Sequence, residues 1–272
     1  GRRSQLMTTF RNEVVQTGQG AEVDYTNPLS QYLKLAVVPS EGSGDALTEL
    51  VTGELLNYLP NSLVWNSDGS VSTNVVDNVV ETAIKDGGVI FDSSWILQVD
   101  CKAGRNEELL ARSPLLLVTD RNSSTGRGRD SLGIVTERYD RISSMEVADS
   151  YSITETSYST YSDSRDVLTI TFQKSTNLVR FYRNNEIVLS YTINGTTGEN
   201  WDIGAQISMG NPSGKFYSAC LYKLDRDFTQ QEIDSIVADS YQVFRTQEEK
   251  IQEHALHSSS DNTQHVEISM PE

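Results

Sequence analysis

The segment from Val167 to Ile193 constrains the fold more than any other part of the chain. It runs Val167-Leu-Thr-Ile-Thr-Phe172, Gln173-Lys-Ser-Thr-Asn177, Leu178-Val-Arg-Phe-Tyr182, Asn184-Asn185 and Glu186-Ile-Val-Leu-Ser-Tyr-Thr-Ile193. Apolar and polar residues alternate with period two in the first run, which sends them to opposite faces of a strand. Asn184-Asn185 suits the positive φ of a tight hairpin. Strands joined by such short turns lie antiparallel.

The same signals recur along the chain. Gln31 to Val38 is a candidate first strand, ended by Pro39 and the Gly42/Gly44 run. Ala46 to Leu59 has partly helical spacing, but Gly53 and Pro60 favour short pieces. Ser62 to Trp65 leads into Asn66-Ser-Asp-Gly69, a turn with Asp-Gly chemistry. Further strands are expected at Ser94 to Cys101, Leu115 to Thr119, Leu132 to Thr136, Ile142 to Val147, Tyr151 to Thr156, Ile203 to Met209 and Phe216 to Leu224. Many short strands and few helices mean a sandwich or barrel.

One helix is well signalled. Thr229-Gln-Gln-Glu232 is a capping box, and Ile233, Ile236, Val237, Tyr241 and Phe244 follow at helical spacing. The pattern fades into Arg245 to Ile251, which would prolong the helix as a solvated rod. The expected organisation is an N-terminal arm over 1–30, a sandwich over 31–245 and a polar tail over 246–272.

Composition narrows the partners. The chain has 272 residues, of which 37% are hydrophobic, as one core with polar extensions would give. Its formal net charge of -16 repels nucleic acid and anionic membrane surfaces. There is no apolar run long enough for a membrane span. Cys101 and Cys220 both sit in strand-like runs, which leaves open a single bridge or two buried thiols.

The order of segments resembles that of laminin-G-like, concanavalin-like jelly-roll domains. Leu178 to Ile193 resembles that family's hairpin. Gly214 to Tyr222 resembles its last core strand, with Leu221-Tyr222 as the usual ending. Phe228, Thr229 and Glu232-Ile233 match the short link, cap and helix start that follow, and Ser94-Trp95 matches an earlier strand. The resemblance covers roughly residues 90–245 and is nearest to versions in bacteriophage structural proteins. It implies a two-sheet antiparallel jelly-roll sandwich with a short C-terminal helix and extended terminal arms. It also implies a structural or binding module on a virion or extracellular surface, held to other virion or assembly subunits through its arms. Such a module could also form a homo-oligomer or be the lectin domain of a cell-surface protein.

The chemistry of the core points the same way. Glycoside hydrolases of this fold place paired carboxylates on one strand face. No such run stands inside the expected sandwich; Glu137 and Asp140 have the wrong parity. The histidines are His254, His257 and His265, all in the tail, so a nucleophile in the core would lack an imidazole base. Gly126-Arg-Gly128 lacks the Lys-Ser/Thr of a phosphate loop. The expectation is therefore a protein that is not an enzyme. Two binding sites are expected instead. Asn66, Asp68 and Ser70 in one turn offer hard oxygen ligands for calcium, and so, separately, do Asp163 and Asp166. Tyr151, Tyr158, Tyr161 and Trp201 are candidate aromatic platforms for a glycan. Sequons at Asn122 and Asn194 fall in expected loops.

Overall fold

A computed structural model of the chain describes residues 20–57, 60–73, 84–88, 92–102, 113–120, 131–137, 141–149, 152–161, 165–192, 201–205 and 215–246. In chain order its strands are β1 (Ala21–Val23), β2 (Leu33–Val37), β3 (Ala46–Thr48), β4 (Leu55–Asn57), β5 (Leu63–Trp65), β6 (Val71–Thr73), β7 (Ile84–Gly88), β8 (Ser94–Lys102) and β9 (Ser113–Asp120). They continue as β10 (Ser131–Glu137), β11 (Arg141–Asp149), β12 (Ser152–Tyr161), β13 (Asp166–Gln173), β14 (Leu178–Arg183), β15 (Glu186–Thr192), β16 (Trp201–Ala205), β17 (Lys215–Leu224) and β18 (Phe244–Thr246). Among the described residues there is one α-helix, α1 (Gln230–Ala238), and one 3₁₀ turn (Pro28–Tyr32). For β7, β9 to β12 and β16 the description is of the backbone.

The fold is an all-β sandwich built on two antiparallel sheets. One has the order β12-β11-β10-β9-β16-β7 and the other β15-β14-β13-β8-β17-β6-β5. Two strands share the far edge of β17: β2 pairs with Ala219 to Tyr222 and β6 with Phe216. β7 comes within 8 Å of β2, and β16 within 8 Å of β8. The hairpin expected at Asn184-Asn185 forms, with Asn184 at φ 54. The turn after β13 likewise uses Asn177 at φ 52. Residues 46–57 are the hairpin β3–β4, as Gly53 at φ 78 allows.

The central strands β8, β13 and β17 of the eight-stranded sheet are buried on both faces, and β8 explains how. Its odd residues Trp95, Leu97, Val99 and Cys101 join Leu168, Ile170, Phe172, Val179, Phe181 and Leu221 in one core. The Trp95 and Phe172 rings stack at 5.7 Å. From the other face, Ile96, Tyr182, Cys220 and Tyr222 meet Phe228, Ile233, Ile236 and Val237 of the helical layer. Each fully buried aliphatic of that layer contributes about 1.5–3 kcal/mol. The two cysteines thus lie on opposite faces of the sheet, and both are free thiols.

The capping box at the start of α1 is formed in both directions, with Glu232 N donating to Thr229 Oγ1 at 3.2 Å and Thr229 N donating to Glu232 at 2.8 Å. The helix is shorter than its apolar spacing suggests. It stops at Ala238, where Asp239 is extended and accepts from Tyr241 N at 2.9 Å. Gln242 Nε2 then donates back to the Ser235 carbonyl at 2.6 Å. Tyr241 and Phe244 still reach the same core, from a turn and from β18. Strand pairing with β1 wins over helix extension there, because Ala21 to Val23 offers β18 a complete ladder. Residues 21–30, read from sequence as arm, put Val23 and Leu29 into this core.

Candidate functional site

The glycan candidates fall on the six-stranded sheet. Tyr158 and Tyr161 belong to its outermost strand β12, Tyr161 paired with Arg141. Trp201 opens β16 and pairs with Asp120 on one side and Gly88 on the other. Four strand steps separate β12 from β16. At about 4.8 Å per step, that is roughly 19 Å, so these aromatics belong to two places and not to one platform. Tyr151 lies outside the described residues.

The calcium candidates also separate. The turn between β5 and β6 closes with Gly69 N donating to the Asn66 carbonyl at 3.0 Å, and Asn66 Nδ2 reaches Ser70 and Ser72. Asp68 Oδ1 accepts from Ser70 N and Oγ, at 3.2 and 2.6 Å. Its Oδ2 accepts from Lys215 Nζ at 2.5 Å and from the Tyr217 hydroxyl at 2.9 Å. Burial works against the Asp68 charge, but the hydrogen bonds from Lys215, Ser70 and Tyr217 outweigh it and hold the carboxyl far below its usual range. Burial, and then the Asp68 carboxylate, push the Tyr217 phenol up to about 12. Asp166 accepts from Arg183 at 2.7 Å and from Asn184 Nδ2 at 3.0 Å. The row Asp166, Cys101, Phe216, Val71 puts three strand steps between Asp166 and the β6 end of the turn, about 14 Å. Each of these carboxylates therefore faces a cation of its own chain. Asp163 lies outside the described residues, among which no group of three or more His, Cys, Asp or Glu gathers as a metal site would require.

Beside Asp68 stands an assembly that the sequence reading missed. Asp100, on the helix-facing side of β8, is buried and takes both Nε and Nη2 of Arg165, at 2.7 and 2.6 Å. The same Nη2 donates to the Tyr241 hydroxyl at 2.9 Å, while the guanidinium lies 3.8 Å over the Tyr217 ring. A continuous chain of contacts thus runs Lys215, Asp68, Tyr217, Arg165, Asp100. It joins the β5–β6 turn to the helical layer. Burial raises the Asp100 carboxyl above its usual value, and Arg165 opposes that rise. The signal was present in Ser94-Trp-Ile-Leu-Gln-Val-Asp-Cys101: an acid at an inward position of a strand buried on both faces demands a cation. What the assembly can do is hold charge in place, since every one of these groups is already engaged. His254, His257 and His265 lie outside the described residues.

No family of proteins matches the chain by its sequence model, and no curated protein matches it. Solved structures do. The Trypanosoma rangeli sialidase is 12% identical with a TM-score of 0.49, over 88% of this chain and 38% of that one. The binding domain of botulinum neurotoxin serotype G is 12% identical with a TM-score of 0.47, over 75% and 50%. The NanB sialidase of Streptococcus pneumoniae is 15% identical with a TM-score of 0.36, over 54% and 25%. The chain spans about two fifths of the length of the Trypanosoma sialidases. These likenesses are of all-β architecture and transfer no residue role. They do correct one expectation. The chain was expected not to be an enzyme, yet structures similar to it include sialidases, so its architecture does not separate it from enzymes.

Proposed function

We propose that the chain is a lectin-like module that binds surface glycans and is displayed on a virion or another extracellular surface. The observation that carries this reading is the burial of the central strands β8, β13 and β17 on both faces, by the core on one side and the helical layer on the other. The six-stranded sheet is the proposed ligand surface, because its strands carry Tyr158, Tyr161 and Trp201. Aromatic rings among short polar residues are what sugar rings stack upon, and Ser152 to Tyr161 is made almost entirely of Ser, Thr and Tyr. Anchoring through the arms is supported by the β1–β18 ladder. Ala21 pairs with Thr246, so the chain enters and leaves the sandwich side by side.

A glycan array probed with the whole chain tests the reading. Binding to at least one glycan class is expected, weakened about tenfold or more by Tyr158→Ala or Trp201→Ala. An array without a hit, or binding that survives both substitutions unchanged, sinks it. Analysing the bound glycans for cleavage then tells whether binding ends in turnover. Detection of the chain in purified particles supports virion display; its recovery only from cell surfaces points to the lectin domain of a cellular protein.

A further inference from the structure

We infer that the β1–β18 ladder is a tension joint: pulled apart at Ala21 and Thr246, the chain opens there first, by peeling, and stops at an anchor between Asn27 and Gln242. β1 and β18 form a sheet of their own, apart from the two sheets of the sandwich. They run antiparallel and pair Ala21 with Thr246, Glu22 with Arg245 and Val23 with Phe244. Asp24 N continues the ladder, donating to the Val243 carbonyl at 2.7 Å. β1 runs inward from Ala21 and β18 runs outward to Thr246, so a pull on these two residues loads the outermost rung alone. Each rung must break before the next is loaded.

The rungs differ along the ladder. The outer part is held by the Glu22–Arg245 ion pair at 2.7 Å, which is partly open to water. The inner part reaches the core beneath α1, where Val23, Val243 and Phe244 are buried. Behind it stands the anchor. Asn27 Nδ2 donates to the Gln242 carbonyl at 2.8 Å, and its own carbonyl oxygen accepts from Leu29 N at 2.9 Å. Gln242 is tied in turn to the helix end. Its Nε2 donates to the Ser235 and Asp239 carbonyls at 2.6 and 3.0 Å, and its Oε1 accepts from Ser235 Oγ at 2.9 Å.

Peeling therefore ends where Gln242 would have to leave α1. It frees residues 21–26 and 243–246, which extend by at most about 35 Å. Tyr241, with its contact to Arg165, lies on the far side of the anchor and stays in place. The eight-stranded sheet keeps its register, since none of its pairs uses the freed residues. For a module held through its arms, as proposed above, the joint yields slack before the sandwich is loaded. The joint opens in the same way in a chain that binds no glycan.

Optical tweezers test this on the whole chain, with handles on Ala21→Cys/Thr246→Cys; Cys101 and Cys220 are buried and stay unlabelled. A reversible step of about 35 Å is expected, at a force several-fold below that which unfolds the sandwich. Handles on Tyr25→Cys/Thr246→Cys load the same ladder from opposite ends. There the step should vanish, because β18 already lies extended between Gln242 and Thr246. Tyr25 is 65% exposed, so a handle there displaces no packing. Asn27→Ala should lengthen the step of the first pair, since the stop is gone. In the unsubstituted chain, the Asp24 amide should exchange about tenfold faster or more than those of Leu168 and Ile170 in β13. Unfolding of the sandwich without an earlier step overturns the proposal. So does the same step in both pulling geometries, an unchanged length in Asn27→Ala, or an Asp24 amide as slow as those of β13.

Discussion

Arg165 grips Asp100 through both carboxylate oxygens, while only 3% of the Asp100 side chain remains accessible. Removing the cation alone strands a buried negative charge. Arg165→Met should therefore cost about 3 kcal/mol, the low end for a broken buried pair, because the Arg165 side chain keeps some contact with water. Replacing both partners, as Arg165→Met/Asp100→Leu, should cost clearly less than the single change. The sign of the pH dependence follows from the direction of the Asp100 shift. Burial raises its folded-state value, so a protonated carboxyl favours the fold and that benefit is lost as pH rises. Without Arg165 the effect grows. The cost of Arg165→Met should be smaller at about pH 4 than at about pH 7 in urea unfolding. Equal costs at both, or a double variant worse than the single, would refute this account.

Glu232 links the start of α1 to the surface. It accepts two bonds from Arg226, at 2.9 and 2.7 Å, and one from Thr229 N. The Arg226 hydrogen bonds, ahead of the opposing burial and the Thr229 bonds, lower its carboxyl from 4.5 to about 2. A depressed folded value stabilises above the unfolded one and is lost as pH falls through the folded one. The stability gap between wild type and Glu232→Gln should thus be full near neutrality and shrink between 4.5 and about 2. Thr229→Ala should cost about 1 kcal/mol across the same range. Thermal melts of the three proteins as a function of pH check both. A gap that stays constant down to the acid end would count against the assignment to Glu232.

Much of the sandwich was legible because its signals are local. Asn184-Asn185 turns because Asn tolerates positive φ, and Val167 to Phe172 alternates because each strand shows two faces. Thr229 and Glu232 announce α1 within one turn of chain. What stayed hidden depends on contacts distant in sequence. Phe244 keeps helical spacing from Ile236 yet sits in a strand, since its partner Val23 lies at the other end of the chain. Arg165 and Asp100 are 65 residues apart, and no spacing rule joins them. Asp68 carries calcium-like turn chemistry, but Lys215, from a strand far along the chain, occupies the same carboxylate.

The two cysteines make a sharp probe of this packing. Burial pushes the Cys101 thiol up, and the Cys220 thiol to about 12. Neither is reactive as a thiol at neutral pH, since the thiolate is the nucleophile. In the folded chain, a thiol reagent such as Ellman's should titrate neither group; in denaturant it should titrate both. Oxidation of the folded chain should not join them, because Cys101 faces the Trp95 core and Cys220 the helical layer. Rapid modification of either thiol under native conditions would contradict the burial.

Glu49 gives the last prediction, because its buried carboxylate meets no cation among the described residues. Oε1 accepts from the backbone N–H of Ala36 at 2.8 Å and of Val51 at 2.9 Å. Oε2 accepts from Thr52 N at 2.7 Å and Thr52 Oγ1 at 2.6 Å. The side chain thereby ties the turn after β3 to β2, where Leu50 N also donates to the Ala36 carbonyl at 2.8 Å. A glutamine cannot replace it. Whichever way its amide is turned, the NH₂ group faces at least one backbone N–H that needs an acceptor. Glu49→Gln should therefore be nearly as costly as Glu49→Ala, about 2–3 kcal/mol for the buried donors left unmet. Amide hydrogen exchange should speed up at Ala36, Val51 and Thr52 and leave β13 and β14 protected. If Glu49→Gln stayed within about 0.5 kcal/mol of wild type with unchanged exchange, the carboxylate would not be what holds this turn to the sheet.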